Sequence, residues 1–271
     1  MNVLFFQAAL FLYLFGTGAS LAYLILLRKK FCQLGTIALT GGFIVHSLAL
    51  VSRYLEAGRT PITNLHESLS FFAWSIVAVY LLLNLKYRVD VLAAFISPIA
   101  AVLIILASLF PKEILPVAPV LQSSWLPIHV ILAFIGDAMF ALAFAASVMY
   151  LIQEKQIKSK KIGPFYHRLP ALAVLDDLNY HCLSLGFPLL TLGIITGSVW
   201  AESAWGSYWS WDPKETWSLI TWFLYAALLH GRLTVGWRGR KAAIFAIVGF
   251  AALVFTFLGV NLVLSGMHSY N

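Results

Sequence analysis

Residues 200–222, WAESAWGSYWSWDPKETWSLITW, contain six of the nine tryptophans of this 271-residue chain. One apolar run precedes this stretch and a second begins within it, after residue 215; a bilayer core takes roughly 20 residues of helix, and both runs are read as crossing it. Residues 200–215 therefore indicate a loop between two membrane-spanning helices. One or two tryptophans at a helix end are typical of the aromatic belt at a membrane surface, so this density needs a further explanation.

The rest of the chain continues the membrane pattern. Sixty-one per cent of its residues are hydrophobic and 11% are charged, which is the composition of an integral membrane protein. The apolar runs are continuous rather than alternating, which excludes the strands of a β-barrel. We predict an all-α, polytopic membrane protein, a single membrane domain over residues 1–271. Its eight helices are expected at about 3–27, 34–52, 66–85, 91–110, 126–152, 180–199, 216–232 and 242–264.

The distribution of positive charge predicts the orientation. Fourteen of the 18 lysines and arginines lie in alternate connections: Arg28, Lys29, Lys30, Lys86, Arg88, Lys155, Lys158, Lys160, Lys161, Arg168, Arg232, Arg238, Arg240 and Lys241. By the positive-inside rule these connections are cytoplasmic. Both termini and an external, tryptophan-rich loop at 200–215 are then outside, in the periplasm or lumen. Because topology explains the net charge of +7, we expect the lipid bilayer and no nucleic acid as a partner.

Two short polar motifs predict helix starts. Asp212-Pro-Lys-Glu215 has an N-cap acceptor, a proline at the first helical position and a glutamate at the third, which is a capping box for the seventh helix. Asn64-Leu-His-Glu67 predicts the same for the third helix. Leu169–Leu178 is read as a short amphipathic segment on the inner membrane surface.

The tryptophan cluster has two interpretations. It is either a stacking platform for a flat apolar ligand or a surface for anchoring and protein packing, because aromatic clusters serve both purposes. Histidines bear on this choice. His129 and His268 fall at the outer ends of the fifth and eighth helices, where two imidazoles could ligate a haem iron from opposite faces. The alternative is that each is a lone interfacial histidine with a water or backbone partner.

Other polar positions are less specific. His230, near the cytoplasmic end of the seventh helix, is most simply a snorkelling interfacial residue. His46 and Asp137 lie at depths where ionisable groups are functional candidates, but the sequence names no partner for either. Gly193 and Gly197 form a small-xxx-small face that favours close helix packing.

The stretch GSVWAESAWGSYWSWDPKETW resembles the WWD signature of the CcsA (ResC) family of System II cytochrome c biogenesis proteins. PITNLHESLSFFAW, LQSSWLPIHV and NLVLSGMHSY fit the same family, and the resemblance covers nearly the whole chain, most closely from residue 121 onward. It implies a membrane domain of the cytochrome c assembly type that transports haem. It also implies holocytochrome c synthase (haem lyase) activity, in which haem b is joined to the CxxCH of an apocytochrome c.

The resemblance also implies partners and a location. A CcsB (ResB)-like membrane protein supplies a large exterior domain, and thiol-reducing, thioredoxin-like proteins act with the complex. The membrane is the bacterial cytoplasmic membrane, or the thylakoid membrane in a plastid. Two alternatives stay open: a haem transporter or chaperone subunit without a catalytic role, and a haem-related regulatory membrane subunit.

The family's site residues carry over by position in this sequence. His129 and His268 match the axial ligands of the outer, catalytic haem site, and His230 matches the ligand of an inner haem site. The opposite ligand of His230 comes from the CcsB component in the family, and His46 is not expected to replace it. Lys214, Arg59 and Arg53 are candidate cations for the haem propionates. The haem-binding WWD stretch contributes Trp200, Trp205, Trp209, Trp211 and Asp212.

Overall fold

The computed structural model describes residues 1–116, 118–160, 163 and 166–260. Within these residues eight helices are long and apolar enough to cross a membrane, so the prediction of an all-α polytopic membrane protein is confirmed. The helices are α1 (Asn2–Leu26), α2 (Lys29–Ala57), α3 (Leu65–Tyr87), α4 (Leu92–Leu109), α5 (Trp125–Ser159), α6 (Leu172–Trp205), α7 (Pro213–His230) and α8 (Arg240–Val254). A 3-10 turn at Pro119–Gln122 precedes α5. π-helical turns at Gly231–Val235 and Phe255–Gly259 continue α7 and α8, so the last two apolar spans are Pro213–Val235 and Arg240–Gly259.

Helix α6 starts earlier than the hydropathy pattern predicts. It begins at Leu172, so the prediction of a separate surface segment up to residue 178 is wrong. Its polar residues do not interrupt the helix because they have partners in distant parts of the chain. Asn179 donates to Ser147 Oγ at 2.7 Å, and Asp176 accepts from Arg232 at 3.0 Å.

The loop predicted at 200–215 is helical at both its ends. Helix α6 continues to Trp205 and α7 begins at Pro213. The non-helical connection is therefore residues 206–212, which we call the tryptophan loop. Trp200 belongs to the last turns of α6 rather than to the loop. The predicted end of the eighth helix, at 264, lies outside the described residues.

The helices form two compact units, and α1–α4 make up the first. Gly42 of α2 lies against α1, where a Cβ atom would come within 2.6 Å of the Tyr13 ring. A buried ion pair joins Arg53 of α2 to Glu67 of α3, with Nε and Oε1 2.7 Å apart. The first unit is thus closed by small residues on α2 and by buried polar contacts.

Helices α5–α8 make up the second unit, in which glycines bring α5 and α6 together. A Cβ at Gly186 would lie 3.0 Å from Met139 Cβ, and one at Gly193 would lie 3.2 Å from the main-chain nitrogen of Ala133. The Tyr225 ring of α7 stacks on Phe140 of α5 with centroids 3.7 Å apart. The predicted histidine, tryptophan and Asp212 site residues that the structure describes lie in this unit, whereas the candidate cations Arg53 and Arg59 lie in the first. The single membrane domain over 1–271 stays a prediction.

Both helix starts read from capping motifs are confirmed. Asp212 and Glu215 form a reciprocal capping box at the start of α7. The Asn64 side chain accepts from the Glu67 nitrogen at the start of α3. The reciprocal bond differs there, because Glu67 Oε2 accepts from Thr63 rather than from the cap residue.

Candidate functional site

The tryptophan loop is shaped by the helices that it joins. Helix α6 ends at Gly206, whose φ of 74° is a left-handed conformation that glycine adopts at little cost. Pro213 opens α7 at its first position, where a missing N–H costs nothing. The loop is therefore fixed at both ends by local sequence.

Glu215 holds the middle of the loop from the first turn of α7. Its carboxylate accepts hydrogen bonds from the main-chain nitrogens of Ser210, at 2.8 Å, and Asp212, at 3.2 Å. Trp211, between these residues, has a φ of 58°, a left-handed conformation that costs a non-glycine residue on the order of 1–3 kcal/mol. The two hydrogen bonds hold the backbone on both sides of the strained residue.

The result is a loop with outward-facing rings. Trp211 is 68% exposed and Tyr208 is 61% exposed. The Trp209 ring meets Trp211 edge to face with centroids 5.8 Å apart. Exposed aromatic groups of this size mark a surface that binds a ligand, a partner or a membrane.

Two further tryptophans lie behind the loop. Trp200 is only 5% exposed, and its indole N–H donates to the Val120 carbonyl at 3.1 Å. Trp205 packs edge to face against Trp200 with centroids 5.0 Å apart. These two rings contact the end of α6 and the turn before α5, whereas Trp211 is exposed and Trp209 is half-buried beside it.

His129 lies in the first turns of α5 and contacts α6. Its Nδ1 is 2.7 Å from the Gly193 carbonyl oxygen. Since a carbonyl oxygen can only accept, Nδ1 carries the hydrogen, and in the neutral ring Nε2 carries the lone pair. No described residue hydrogen-bonds Nε2. The ring also lies parallel to Trp200, with an interplanar angle of 9° and centroids 6.3 Å apart.

Those contacts match the requirements of an axial haem ligand. A ligating histidine almost always donates its second ring nitrogen to a carbonyl, a carboxylate or water, and this fixes the tautomer that binds metal. His129 has such a partner within the protein. His268, the other predicted outer ligand, lies outside the described residues, so the pairing of His129 with His268 stays a prediction.

His230 occupies the opposite end of the second unit. It is the last residue of α7, and its side chain is exposed. At about 1.5 Å of rise per residue, it lies roughly 25 Å along α7 from Pro213. The following turn is held by Arg232, whose guanidinium makes a bidentate pair with the Asp176 carboxylate at 3.1 and 3.0 Å.

The first unit contains a different kind of histidine. His46 is fully buried, with Nδ1 3.3 Å from the Tyr13 hydroxyl and Nε2 2.8 Å from Ser70 Oγ. Both ring nitrogens therefore have partners in the protein. That His46 does not replace the opposite ligand of His230 stays a prediction.

The candidate cations for propionates differ from one another. Arg53 is buried in its ion pair with Glu67 and also donates to the Lys112 carbonyl at 2.8 Å. The prediction that Arg53 is available to a propionate is wrong, because its guanidinium is already paired with the Glu67 carboxylate. Lys214, beside the tryptophan loop, lies near enough to Asp212 and to Asp137 of α5 for their charges to act on it.

Two contributions were not predicted. The Gly193 carbonyl is a main-chain acceptor and leaves no direct mark on the sequence. The spacing of Gly193 and Gly197 is the available signal in the sequence, and by itself it predicts only close helix packing. Glu215 was identified as a cap, whereas its hydrogen bonds to the tryptophan loop depend on the loop conformation.

These features place the chain in a class of proteins: polytopic membrane proteins that carry an exposed tryptophan loop and, in the same helical unit, a histidine oriented by a main-chain carbonyl. The cytochrome C assembly protein family matches residues 62–268 of the chain. The cytochrome c biogenesis protein CcsA of Chlamydomonas reinhardtii is 44% identical over 232 residues, which cover 82% of this chain and 64% of that protein. CcsA of Synechococcus elongatus is 37% identical over an alignment 287 residues long, which covers 89% of this chain and 88% of that protein. The chain belongs to the CcsA family of cytochrome C assembly proteins.

A solved structure shares the fold. The cytochrome c heme lyase CcmF superposes with a TM-score of 0.71 at 20% sequence identity. The match covers 95% of this chain and 46% of the CcmF chain. At this identity the likeness concerns the fold alone.

Proposed function

We propose that this chain is the haem-handling membrane subunit of a cytochrome c maturation complex. One observation carries the proposal: His129 presents Nε2 without a described partner, in the unit that also bears the exposed tryptophan loop. Haem b is the substrate, moved outward and held for attachment to an apocytochrome. The eight helices act as one membrane domain of the cytochrome c assembly type.

The orientation is part of the proposal. The tryptophan loop and both termini face the periplasm or lumen, and His230 lies near the cytoplasmic face, in the bacterial cytoplasmic or thylakoid membrane. The excess of lysine and arginine in alternate connections supports this. Ser207→Cys and Ser159→Cys, made without the native Cys32 and Cys182, test it with an impermeant thiol reagent. Position 207 should be labelled in intact cells and position 159 only after lysis; the reverse pattern would contradict the topology.

The second unit has residues suited to each part of the haem. His129 is a nitrogen donor for iron through Nε2, and His268 is proposed as the donor on the opposite face. Trp205, Trp209 and Trp211 provide apolar faces for the porphyrin, while Trp200 supports His129 from within α6. Asp212 shapes the loop by capping α7. Lys214 is proposed as a cation for the propionates. The same role for Arg59, which belongs to the first unit, stays a prediction from the sequence.

His230 is proposed as the ligand of an inner site from which haem is passed outward. Its position at the other end of α7 supports two separate stations along the second unit. The opposite ligand is expected from a CcsB-like partner, which also supplies the exterior domain that orients the apocytochrome. Thioredoxin-like proteins keep the CxxCH thiols reduced.

The reaction needs positioning more than acid–base chemistry. Each cysteine S–H adds across one haem vinyl group: sulfur bonds to the carbon next to the ring and the hydrogen goes to the terminal carbon. No net oxidation or reduction occurs. Holding haem and thiols in one geometry can lower such a barrier by roughly 7–11 kcal/mol relative to free encounter. Haem held by His129, His268 and the loop is then the fixed reactant.

Maturation in a host without its own cytochrome c assembly systems tests the function. Haem-stained holocytochrome c should form only when this chain and a CcsB-like partner are both present. Holocytochrome formed at normal levels without this chain, or with His129, His230 and His268 all replaced, would contradict the proposal. If the chain only transported haem, haem supplied outside the membrane should restore holocytochrome c formation without this chain, because transport would no longer be needed.

A further inference from the structure

We propose that the main chain of α6 at Gly193 and Gly197 is the positioning element that presents His129 to haem as an Nε2 ligand. This inference rests on the proposed function, because it concerns a ligand of the same site. It assigns Gly193 and Gly197 a role in ligand geometry in addition to helix packing.

The Gly193 carbonyl selects the tautomer. Its oxygen lies 2.7 Å from His129 Nδ1 and 3.1 Å from the Thr196 hydroxyl, which also donates to it. The oxygen cannot donate, so the hydrogen of the neutral imidazole stays on Nδ1. The lone pair is therefore on Nε2, the nitrogen to which no described residue hydrogen-bonds. Main-chain geometry fixes which atom can bind iron before haem arrives.

Gly197 provides the space for the ring. A Cβ atom at this position would lie 2.7 Å from both Cε1 and Nδ1 of His129, closer than non-bonded carbon atoms approach in proteins. Any side chain here would turn the imidazole away from the Gly193 carbonyl. The glycine is thus required by the ring and not by its own backbone conformation, which is ordinary helix.

Gly193 has a separate function one turn earlier. A Cβ there would lie 3.2 Å from the Ala133 nitrogen and 3.4 Å from its Cβ. Since Ala133 follows His129 by one turn of α5, the close approach at Gly193 brings the carbonyl within reach of the imidazole. The two glycines therefore set, respectively, the distance between the helices and the room for the ring.

This arrangement has an electronic consequence. A hydrogen bond from the remote ring nitrogen to a carbonyl raises the basicity of the ligating nitrogen. A more basic axial ligand stabilises the oxidised iron and lowers its reduction potential. Weakening the hydrogen bond should therefore raise the potential of the outer haem, an effect that a general loss of stability would not produce.

Gly197→Ala tests the role, with Gly186→Ala as the matched control. Both changes add a methyl group on α6 at the contact with α5, and a Cβ at Gly186 meets Met139 and Phe140 rather than a histidine. In the complex purified with a CcsB-like partner, the absorption spectrum and midpoint potential of the haem are measured. Gly197→Ala should lower outer haem occupancy at least tenfold, or raise the potential of the haem that remains. Gly186→Ala should leave both unchanged at equal yield of folded complex.

A double replacement separates this proposal from the proposed function. Once His129→Gly has removed the ring, Gly197→Ala should cause no further loss of haem, and added imidazole should restore haem equally in the presence and absence of the alanine. Additive losses, or equal effects of Gly197→Ala and Gly186→Ala, would overturn the positioning role while leaving ligation by His129 intact. Unchanged haem in His129→Gly alone would overturn the ligation itself.

Discussion

His46 in the first unit and His129 in the second are both histidines inside helix bundles, but their ring nitrogens are used differently. His46 has hydroxyl partners on both nitrogens, Tyr13 and Ser70. His129 donates from Nδ1 to a carbonyl, and no described residue takes its Nε2. The number of nitrogens with partners in the protein, more than depth in the membrane, therefore distinguishes a structural histidine from a candidate ligand.

Replacement of each histidine by alanine gives the largest expected effect. His129→Ala should remove most of the outer haem, because the iron loses its ligand on that face, and the absorption spectrum of the purified complex measures this. His46→Ala should leave the spectrum unchanged. It should lower stability by about 1–3 kcal/mol, because the Tyr13 and Ser70 hydroxyls lose a buried partner. Thermal unfolding in detergent measures the second effect; loss of haem in both variants at equal stability would break the comparison.

Two tryptophans allow the same comparison: Trp200 is buried and donates to the Val120 carbonyl, whereas Trp211 is exposed. Trp211→Ala should weaken haem retention by about 1–3 kcal/mol through lost stacking area and leave unfolding unchanged. Trp200→Ala should instead lower stability by about 3–5 kcal/mol, since it empties a packed site and frees the Val120 carbonyl. Haem dissociation to an external acceptor measures retention. Equal haem loss from both variants at the same stability would show that exposure does not mark the platform.

Glu215 gives the smallest expected effect. Glu215→Ala removes the acceptor for the Ser210 and Asp212 nitrogens, and loss of one such cap costs about 0.5–2 kcal/mol. The tryptophan loop should become more susceptible to proteolysis. Haem should be held more weakly, but its absorption bands should keep their wavelengths. Glu202→Ala, an exposed carboxylate near the end of α6, is the control. Equal protease resistance of the two variants would contradict the role of Glu215.

Features encoded by neighbouring residues were predictable from the sequence. The eight helices follow from continuous apolar runs, and the start of α7 follows from Asp212 and Glu215, which are three residues apart. The start of α6 was missed because the partners of its polar residues are far along the chain: Arg232 is 56 residues from Asp176. Hydropathy counts such a carboxylate as a break, whereas in the fold its charge is paired.

The candidate site shows the same limit. Its side chains were identified from residue type and from the family resemblance, but the partner of His129 is a main-chain oxygen on another helix. No side-chain chemistry encodes that contact, and the glycines around it had a simpler explanation in packing. The buried pair of Arg53 and Glu67 was missed for the related reason that residues 14 apart meet only after α2 and α3 have packed.

The left-handed backbone at Trp211 has a consequence for engineering. Glycine or asparagine adopts this conformation more readily than tryptophan, so a search for thermostable variants would favour either of them at position 211. Such a variant would relax the loop and remove its most exposed indole in one substitution. A substitution that stabilises the protein at position 211 would therefore weaken the proposed haem binding. Stabilising substitutions are better made at other positions, with Trp211 retained.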